Sequence, residues 1–349
     1  MDSIKAVSLF SGAGGMDVGF TNAGYSVCYA NEKENTFCDT YEAFFGEGTI
    51  SRGDIDTKMD EISKLKDVDV VFGGPPCQGF SVAGKMDPND PRSQLIWSYL
   101  AVVELLKPKV FVMENVRALG KLEKWSSVRE AILKKASDMG YSCFYTILNA
   151  VDYGVPQKRE RVFFIGVHGE EASKSDFINA LDQLREKPKT VREVFAEFDP
   201  IGTGDNPNTC PAYVTLASNP VMRKSPYAGM LLNGQGRSVN LDDYSQTLAA
   251  SMGGNKTPVI DQYALEHPGE ENWIETYHRG IVDGSITPKF GPAPDRLRRL
   301  SITEAAALQT FPKNYPFQGS SAKKYTQIGN AVPCHLAEVV ALTVKKLYL

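Results

Sequence analysis

The stretch AVSLFSGAGGMD (6–17) decides the fold. Its first half, AVSLF (6–10), is a short apolar run typical of a buried strand. Three glycines interrupt the chain directly afterwards, and the helix-like pattern MDVGFTNAG (16–24) follows them. A strand, a glycine turn and a helix in this order are typical of the first unit of a nucleotide-binding α/β sheet. The glycines would allow the backbone to approach a ligand closely at the helix N-terminus.

Strand and helix patterns continue to alternate through the first half of the chain. Helical patterns cover 35–45, 93–106 and 127–140. This alternation predicts an α/β fold, a mostly parallel sheet with helices on both faces. Ligands bind such sheets outside the carboxyl ends of the strands. The further predicted strands are YSVCYANE (25–32), VDVVFGG (68–74), KVFVMENV (109–116), YSCFYTILNA (141–150) and RVFFIGVH (161–168).

The pattern changes after about residue 170. SKSDFINALDQLREKPKTVREVF (173–195) is helical in character, and 200–295 is rich in Pro, Gly, Asn and Ser. These features predict a second, loop-rich domain with short strands. A helix is predicted again over 301–311, where Ser301 and Glu304 have capping-box spacing. Pro333 suits the first turn of a final helix.

Composition narrows the class of protein. The net charge is −4 and the pI about 5.7, which excludes a uniformly basic nucleic-acid binder but not a local basic face. No apolar run reaches the ~20 residues of a membrane span, and the N-terminus lacks the features of a signal peptide. A soluble, cytoplasmic protein is expected. Six cysteines and four histidines are dispersed singly, so no metal site is expected.

Acidic residues follow the glycine turn at informative distances. Glu32 ends the second strand 20 residues after Gly12, where such folds hold a ribose diol. Asp54 could accept a hydrogen bond from an adenine amine. Asp17 stands where a dinucleotide fingerprint needs a small residue, which weakens an NAD-binding interpretation. A plain strand–turn–helix with surface acids is the alternative.

The stretch DVVFGGPPCQGFS (69–81) places Cys77 just beyond a strand end. Two prolines would fix the backbone there and present the thiol. An ordinary thiol is mostly protonated at neutral pH, however, so this stretch alone favours a buried, inert cysteine over a nucleophile. Glu114 ends the neighbouring strand and could donate a proton or orient a substrate. Arg159 and Arg161, two apart at a strand start, share one face; a charged edge strand is the alternative.

Taken together, these motifs resemble the cytosine-specific (carbon-5) DNA methyltransferases of bacterial restriction–modification systems. The motifs occur in family order from residue 6 to about 340: FSGAGG, GGPPCQGFS, ENV, QKRERVFFIG, RLRRLSITEAAALQTFP and YTQIGNAVP. The resemblance implies an S-adenosylmethionine-dependent methyltransferase (Rossmann-like) mixed sheet with helices on both faces. It places a catalytic domain at 1–180, completed by 312–349, and a smaller target-recognition domain at 181–311.

The resemblance also assigns roles to residues. Catalysis falls to Cys77, Glu114, Arg159 and Arg161. DNA contacts fall to Gln78, Ser81 and Arg92 of a mobile catalytic loop at 78–95. A further DNA contact falls to Thr247, because SQTLAASMGGNKTP (245–258) resembles the Thr-Leu element of the family. Ala83 departs from members that carry a serine to fill the gap left by the flipped base, so the filling residue is open. The cofactor residues are Phe10, Gly12, Ala13, Gly14, Gly15, Glu32, Asp54, Ile55, Pro76, Leu95, Asn330 and Val332.

The implied reaction is methylation of a flipped-out cytosine in duplex DNA without a metal. Cys77 would attack ring carbon 6 and thereby activate carbon 5, and Glu114 would stabilise the ring at nitrogen 3. A monomer acting in the cytoplasm on nucleoid DNA is expected, and a cognate restriction endonuclease acting independently would suit so compact a chain. Three alternatives are transfer RNA cytosine-5 methylation by the same architecture, a non-catalytic DNA-binding homologue, and an NAD enzyme.

Overall fold

The computed structural model describes residues 3–76 and 94–349. The chain divides into two compact units. The first unit comprises Met1–Gly154, Arg159–Lys187 and Ala331–Leu349, and the second comprises Val155–Lys158 and Pro188–Asn330.

The elements alternate in the first unit and shorten in the second. The strands are β1 Ile4–Leu9, β2 Tyr25–Glu32, β3 Ser51–Arg52, β4 Val70–Gly73, β5 Val110–Val116, β6 Tyr141–Asn149, β7 Gln157–Lys158, β8 Glu160–His168, β9 Thr215–Val221, β10 Met230–Leu232, β11 Ser245–Gln246, β12 Val259–Asp261, β13 Gly291–Pro292 and β14 Leu297–Arg299. The helices are α1 Gly15–Asn22, α2 Asn35–Phe45, α3 Met59–Ile62, α4 Gln94–Leu106, α5 Arg117–Lys121, α6 Ser126–Asp138, α7 Lys174–Asp182, α8 Val191–Phe195, α9 Gln262–Glu266, α10 Trp273–Val282, α11 Ile302–Leu308, α12 Ser321–Asn330 and α13 Cys334–Tyr348.

A seven-stranded mixed sheet forms the centre of the first unit, in the order β3-β2-β1-β4-β5-β8-β6. The five strands from β3 to β5 are parallel, and β8 runs antiparallel to both β5 and β6. The chain moves from β1 to one side and returns on its other side with β4. This reversal opens a crevice at the carboxyl ends of β1 and β4, where ligands of such sheets bind. The glycine turn and GGPP lie at those two ends.

Helices cover both faces of this sheet because its strands are apolar on both sides. Neighbouring residues of β4 show the arrangement. Val71 belongs to a buried cluster with Tyr99 and Val103 of α4. Phe72 points to the opposite face and stacks on Phe20 of α1, with 3.9 Å between ring centroids. The predicted mixed α/β sheet is therefore confirmed.

The second unit is built from small sheets and loops. Strands β10, β9 and β13 form an antiparallel sheet, while β11 pairs with β7 and β12 with β14. Helix α11 begins with the predicted capping box: the Ser301 hydroxyl accepts from the Glu304 amide, and the Glu304 carboxylate accepts from the Ser301 amide. The core of the second unit is a separate buried cluster, which includes Val214, Leu231 and Tyr277.

The two compact units and the predicted domains have different boundaries. Residues 312–330 fall in the second unit rather than in a catalytic segment 312–349, because α12 packs on α11. The Tyr325 hydroxyl donates to the Leu300 carbonyl at 2.6 Å, and Gln309 Nε2 donates to the Ile328 carbonyl at 2.6 Å. The first boundary lies at Lys187 rather than at residue 180.

Two helix predictions also differ from the structure. The helical stretch 173–195 is two helices, α7 and α8, because Pro188 disfavours helix in the residue before it and Thr190 starts a new capping box. Pro333 is the N-cap of α13 rather than part of its first turn.

Candidate active site

The ENV segment at the end of β5 supports the backbone of GGPP. The buried Asn115 donates from Nδ2 to the Pro75 carbonyl at 3.0 Å, and its Oδ1 accepts from the Val116 amide. Gly74 leaves room for the neighbouring carboxylate, since a Cβ there would lie 2.8 Å from Oε2 of Glu114. The chain that leads into Cys77 is thus fixed against the carboxylate of Glu114 as far as Pro75.

Glu114 and Arg161 form a buried ion pair. Because β8 runs antiparallel to β5, its first residues meet the last residues of β5, and Arg161 is the register partner of Val116. Arg161 Nε lies 2.9 Å from Glu114 Oε1, and the two side chains are only 14% and 11% exposed. Burial raises the pKa of Glu114, while the charges of Arg161 and Arg159 oppose that rise. Glu114 can therefore hold a proton more readily than an exposed glutamate.

Arg159 lies one residue before β8 and is completely buried. Its carbonyl accepts from the Ala150 amide at 2.9 Å, which anchors the backbone between the two arginines. Burial and the nearby charge of Arg161 lower the pKa of Arg159, and Glu114 opposes that effect. The two predicted arginines and the predicted glutamate are thus brought together.

The glycine turn after β1 is built for close approach of a ligand. Phe10 adopts a positive φ of 55°, which reverses the chain as it leaves the strand, and Gly12 follows with φ 58°. A Cβ on Gly12 would face open space, with no neighbour within 4 Å. Gly14 has φ 85° and caps α1, which begins at Gly15. The turn therefore presents backbone and the first amides of α1 rather than side chains.

Glu32 joins the turn to the end of β2. Its Oε2 accepts from the Gly12 amide at 2.9 Å, and its Oε1 accepts from the amides of Lys33 and Glu34 at 2.8 Å each. Burial raises the pKa of Glu32, and these backbone donors oppose that rise. A carboxylate held in this way keeps further lone pairs for two vicinal hydroxyls.

The other predicted cofactor residues are distributed over both units. Asp54 accepts from Lys33 Nζ at 2.7 Å, and this ion pair lowers the pKa of Asp54. Ile55 and Val332 are buried, Leu95 is half-buried and Pro76 is exposed. Ala13 is buried within the turn. Asn330 closes α12 and belongs to the second unit, whereas the other cofactor residues belong to the first.

Thr247 lies beside strand pair β7–β11 in the second unit. Its hydroxyl donates to the Lys158 carbonyl at 2.7 Å. The next residue, Leu248, donates its amide to Gln157 Oε1 at 3.0 Å, and Gln157 Nε2 donates to the Leu308 carbonyl at 3.1 Å. Gln157 therefore fixes the Thr-Leu element to the end of α11.

A family model for the C-5 cytosine-specific DNA methylases matches residues 4–346 of this chain. The chain belongs to this family. Methylation of cytosine at carbon 5 in DNA, with S-adenosylmethionine as methyl donor, is the activity that membership gives it. The expected motif order thus led to the correct family.

Restriction–modification methyltransferases are similar to this methylase over its whole length. Type II methyltransferase M1.HphI of Haemophilus parahaemolyticus is 33% identical over 99% of this chain and 87% of its own. M.MthTI of Methanothermobacter thermautotrophicus is 32% identical over 99% and 98%. Among solved structures, S. pombe Dnmt2 methyltransferase has a TM-score of 0.66 at 18% identity over 100% of both chains. Entamoeba histolytica methyltransferase EhMeth has a TM-score of 0.67 at 17% identity over 99% of both.

Four predicted site residues of the methylase lie outside the described residues: Cys77, Gln78, Ser81 and Arg92. The catalytic loop predicted at 78–95 lies outside them as far as residue 93, as does Ala83. In the part of the chain that the structure describes, no helix is long and apolar enough to span a membrane.

Sequence reasoning missed the residues that support the site. Asn115 and Gln157 stand inside quoted motifs, but neither was assigned a role. The available signal was their amide side chains, since Asn115 follows Glu114 and Gln157 precedes the basic run KRER (158–161). Gly74 gave no signal beyond its type, because the close approach that it permits is a property of the fold.

Proposed function

We propose that this methylase acts on a flipped-out cytosine within a specific sequence of duplex DNA, with Cys77 as the nucleophile. The observation that carries this proposal is the buried Glu114–Arg161 pair, held against Gly74 directly before Pro75–Cys77. A nucleophile placed there would share one sheet edge with a buried carboxyl group whose pKa is raised. The target base must leave the stack, since its carbon 6 is inaccessible within a duplex.

Glu114 would act on the ring while Cys77 attacks carbon 6. Its raised pKa favours the acid form, which can donate a hydrogen bond to ring nitrogen 3 as charge develops there. Arg161 holds one carboxyl oxygen at 2.9 Å and so fixes the orientation of the group. Arg159 would stay close to the nucleophile and add positive charge.

The glycine turn would hold S-adenosylmethionine, whose sulfonium group supplies the methyl when bound. Glu32 fits its ribose hydroxyls, because backbone amides fix both carboxylate oxygens. Asp54 would accept from the adenine amine. The open space around Gly12 supports this fit, since a side chain there would enter the cradle. Phe10, Ile55, Pro76, Leu95 and Val332, all of the first unit, would complete the pocket.

Two joined loops of the second unit supply a surface suited to reading DNA. Gly234 and Gly236 approach the backbone of Asn255 and Thr257 so closely that a Cβ would clash with their carbonyls. The fully buried Arg299 donates to the Thr257 carbonyl of one loop at 2.8 Å and to the Asn233 carbonyl beside the other at 3.4 Å, so it holds the two loops together.

This surface carries side chains that can contact base edges and phosphates. Gln235, Arg237 and Lys256 are exposed, and neither cation forms an ion pair with any residue that the structure describes. Arginine, lysine and glutamine are typical readers of base edges in the major groove. Together with Thr247, these residues are the surface that we assign to target recognition.

Partners and location follow from this function. We propose that the enzyme works as a monomer in the cytoplasm on nucleoid DNA, without a metal. A restriction endonuclease of matching specificity would act independently of it. DNA binding should weaken steeply with salt, since each phosphate contact releases a counterion.

The decisive experiment is bisulfite sequencing of DNA from cells that express this chain, with Cys77→Ala as the matched control. Conversion-resistant cytosines confined to one short sequence, and absent with the variant, are expected. In vitro, tritiated methyl transfer to plasmid DNA should far exceed transfer to bulk transfer RNA. Preferential labelling of transfer RNA would contradict the assigned substrate, and activity in the Cys77 variant would contradict the assigned nucleophile.

A further inference from the structure

Tyr213 is a large side chain that the fold of the second unit leaves outside its core. It is 88% exposed, more than any other large apolar residue that the structure describes. The next residue, Val214, is buried in the core cluster of this unit. Because side chains of an extended segment alternate between its two faces, Tyr213 points away from that core. A single exposed ring does not by itself indicate a function, so its surroundings decide the question.

The backbone that follows Tyr213 is held on both sides. The Val214 carbonyl accepts from the Ala293 amide at 3.2 Å, which extends the pairing of β9 with β13 by one residue. The Thr215 carbonyl, at the start of β9, accepts from the Asn233 amide at 2.7 Å. Tyr213 therefore projects from the anchored end of a sheet.

The buried Arg299 joins Tyr213 to the two loops assigned to target recognition. Its Nη2 donates to the Tyr213 carbonyl at 3.5 Å and to the Asn233 carbonyl at 3.4 Å, and its Nη1 donates to the Thr257 carbonyl at 2.8 Å. Since one planar guanidinium group contacts all three carbonyls, the segment before β9 and the two loops lie side by side. Tyr213 thus extends the recognition surface by a third segment.

The charge of these three segments suits a polyanion. Their sequences contain no acidic residue: NPNTCPAY (206–213), NGQGRSVN (233–240) and ASMGGNKTP (250–258). They carry two exposed cations, Arg237 and Lys256. A local basic surface of this kind is the electrostatic footprint of a nucleic-acid contact. Tyr213 adds a large apolar group beside these cations.

We propose that Tyr213 is a further specificity-determining residue, which packs its ring against the C5-methyl group of a thymine in or beside the target sequence. That methyl is the apolar group that base edges present in the major groove, where Gln235 and Arg237 would contact polar groups. The contact removes apolar surface of both the ring and the methyl from water. The inference rests on the recognition surface assigned under Proposed function.

The test is gel-shift titration of the full chain with two DNA fragments that share the target sequence found by bisulfite sequencing and its flanks. One fragment contains thymine and the other deoxyuridine, which lacks the C5-methyl group, and neither contains methylated cytosine. The parent should bind the thymine fragment about fourfold more tightly, the effect of burying one methyl group. Tyr213→Ala should bind both fragments equally, and more weakly than the parent binds the thymine fragment. Tyr213→Phe keeps the ring and should keep the preference.

Phe290→Ala is the matched control, because Phe290 is an exposed aromatic residue of the same sheet, at 69%. It precedes Gly291, the register partner of Leu216, and so lies about 13 Å from Tyr213 along the sheet. This variant should behave as the parent does. The inference is overturned if the parent has no preference for thymine, if Tyr213→Ala retains that preference, or if Phe290→Ala loses it equally.

A double variant, Arg237→Ala with Lys256→Ala, tests the recognition surface separately. It should bind DNA more weakly and with a shallower dependence on salt, since two cations that can contact DNA are removed. Parental affinity and salt dependence in this variant would reject the surface itself. Weakened binding there, together with parental behaviour of Tyr213→Ala, rejects the thymine contact alone.

Discussion

At the scale of single residues, Glu114 is where burial and charge are most tightly balanced. Glu114→Gln keeps the size of the side chain but removes its charge and its ability to change protonation. We expect methyl transfer to slow by about 100-fold or more, because proton donation in the transition state is lost. DNA affinity should change far less, since the contact that we propose for the buried carboxyl is with the base and not with the phosphates. Single-turnover methylation and gel-shift titration measure the two effects separately.

Glu160→Gln is the matched control. Glu160 lies between the two arginines, but its ion pair among the described residues is with Arg117 at the surface, where the Glu160 side chain is 39% exposed. It should retain parental rates. The pKa of Glu114 is raised, so its acid form persists to higher pH and is lost as the pH rises. The parent should therefore lose activity on the alkaline side, and Glu114→Gln should lack that limb. Equal losses of rate and DNA affinity in Glu114→Gln would contradict the role.

Asp17, a fully buried acid in the first turn of α1, gives a prediction about stability. Its pKa is about 7 in the folded protein and about 3.9 in an unfolded chain. Between these values the folded state binds more protons, so its contribution to the free energy of unfolding falls as the pH rises. The free energy of unfolding of Asp17→Asn relative to the parent should rise between about pH 4 and about pH 7, by ~4 kcal/mol at most. Above that range the difference should stay constant. Urea unfolding at several pH values measures this difference, and a gap that does not vary with pH would rule out the titration.

Residues in motifs could be predicted, but buried contacts between elements could not. Glu114 and Arg161 could be found because each ends or begins a strand beside other polar residues, and the antiparallel register then brings them together. Asp17 stands out in the sequence only as a departure from a glycine fingerprint. Its hydrogen bond from Tyr41 joins α1 to α2 in space, and no sequence spacing encodes it.

At the scale of elements, the capping box of α11 links local sequence to stability. Ser301 caps the helix, and Arg298 holds the Glu304 carboxylate at 2.6 Å. Ser301→Ala removes the hydroxyl that accepts from the Glu304 amide, so this buried amide loses its hydrogen-bond partner. We expect a loss of about 1 kcal/mol in unfolding free energy.

Ser218→Ala is the control for this change, because Ser218 is exposed on β9 in the same unit. It should alter the free energy of unfolding by less than about 0.5 kcal/mol. Denaturant melts of both variants give the comparison. Equal effects of the two substitutions would mean that the cap contributes nothing measurable.

The elements of the first unit were predictable because hydrophobic period and turn residues agree along that part of the chain. Strand β2 and helix α2 match their predicted limits, and the other predicted strands differ by one or two residues. The second unit offered less, since its strands are mostly two or three residues long. Such strands pair through distant partners, as β7 does with β11, and carry no period of their own.

At the scale of the whole molecule, the chain crosses between the two units more often than the sequence indicates. Val155–Lys158 belongs to the second unit although both flanking segments belong to the first, and α12 belongs to the second although the segment after it does not. Composition marks the loop-rich stretch well. It cannot mark a segment of four residues, or a helix that belongs to one unit because of the helix on which it packs.

These boundaries give a prediction about specificity. Replacing Pro188–Asn330 and Val155–Lys158 together with the matching segments of M.MthTI should transfer that enzyme's methylated sequence to this chain. Val155–Lys158 is included in the exchange because β7 pairs with β11 and because Gln157 accepts a hydrogen bond from the Leu248 amide. Exchange of Pro188–Asn330 alone should give the same specificity with lower activity, since the Gln157 contacts are then mismatched. Bisulfite sequencing of plasmid DNA reads both outcomes, and the Cys77→Ala form of each chimera gives the background. An active chimera that still methylates the parental sequence would place target recognition in the first unit.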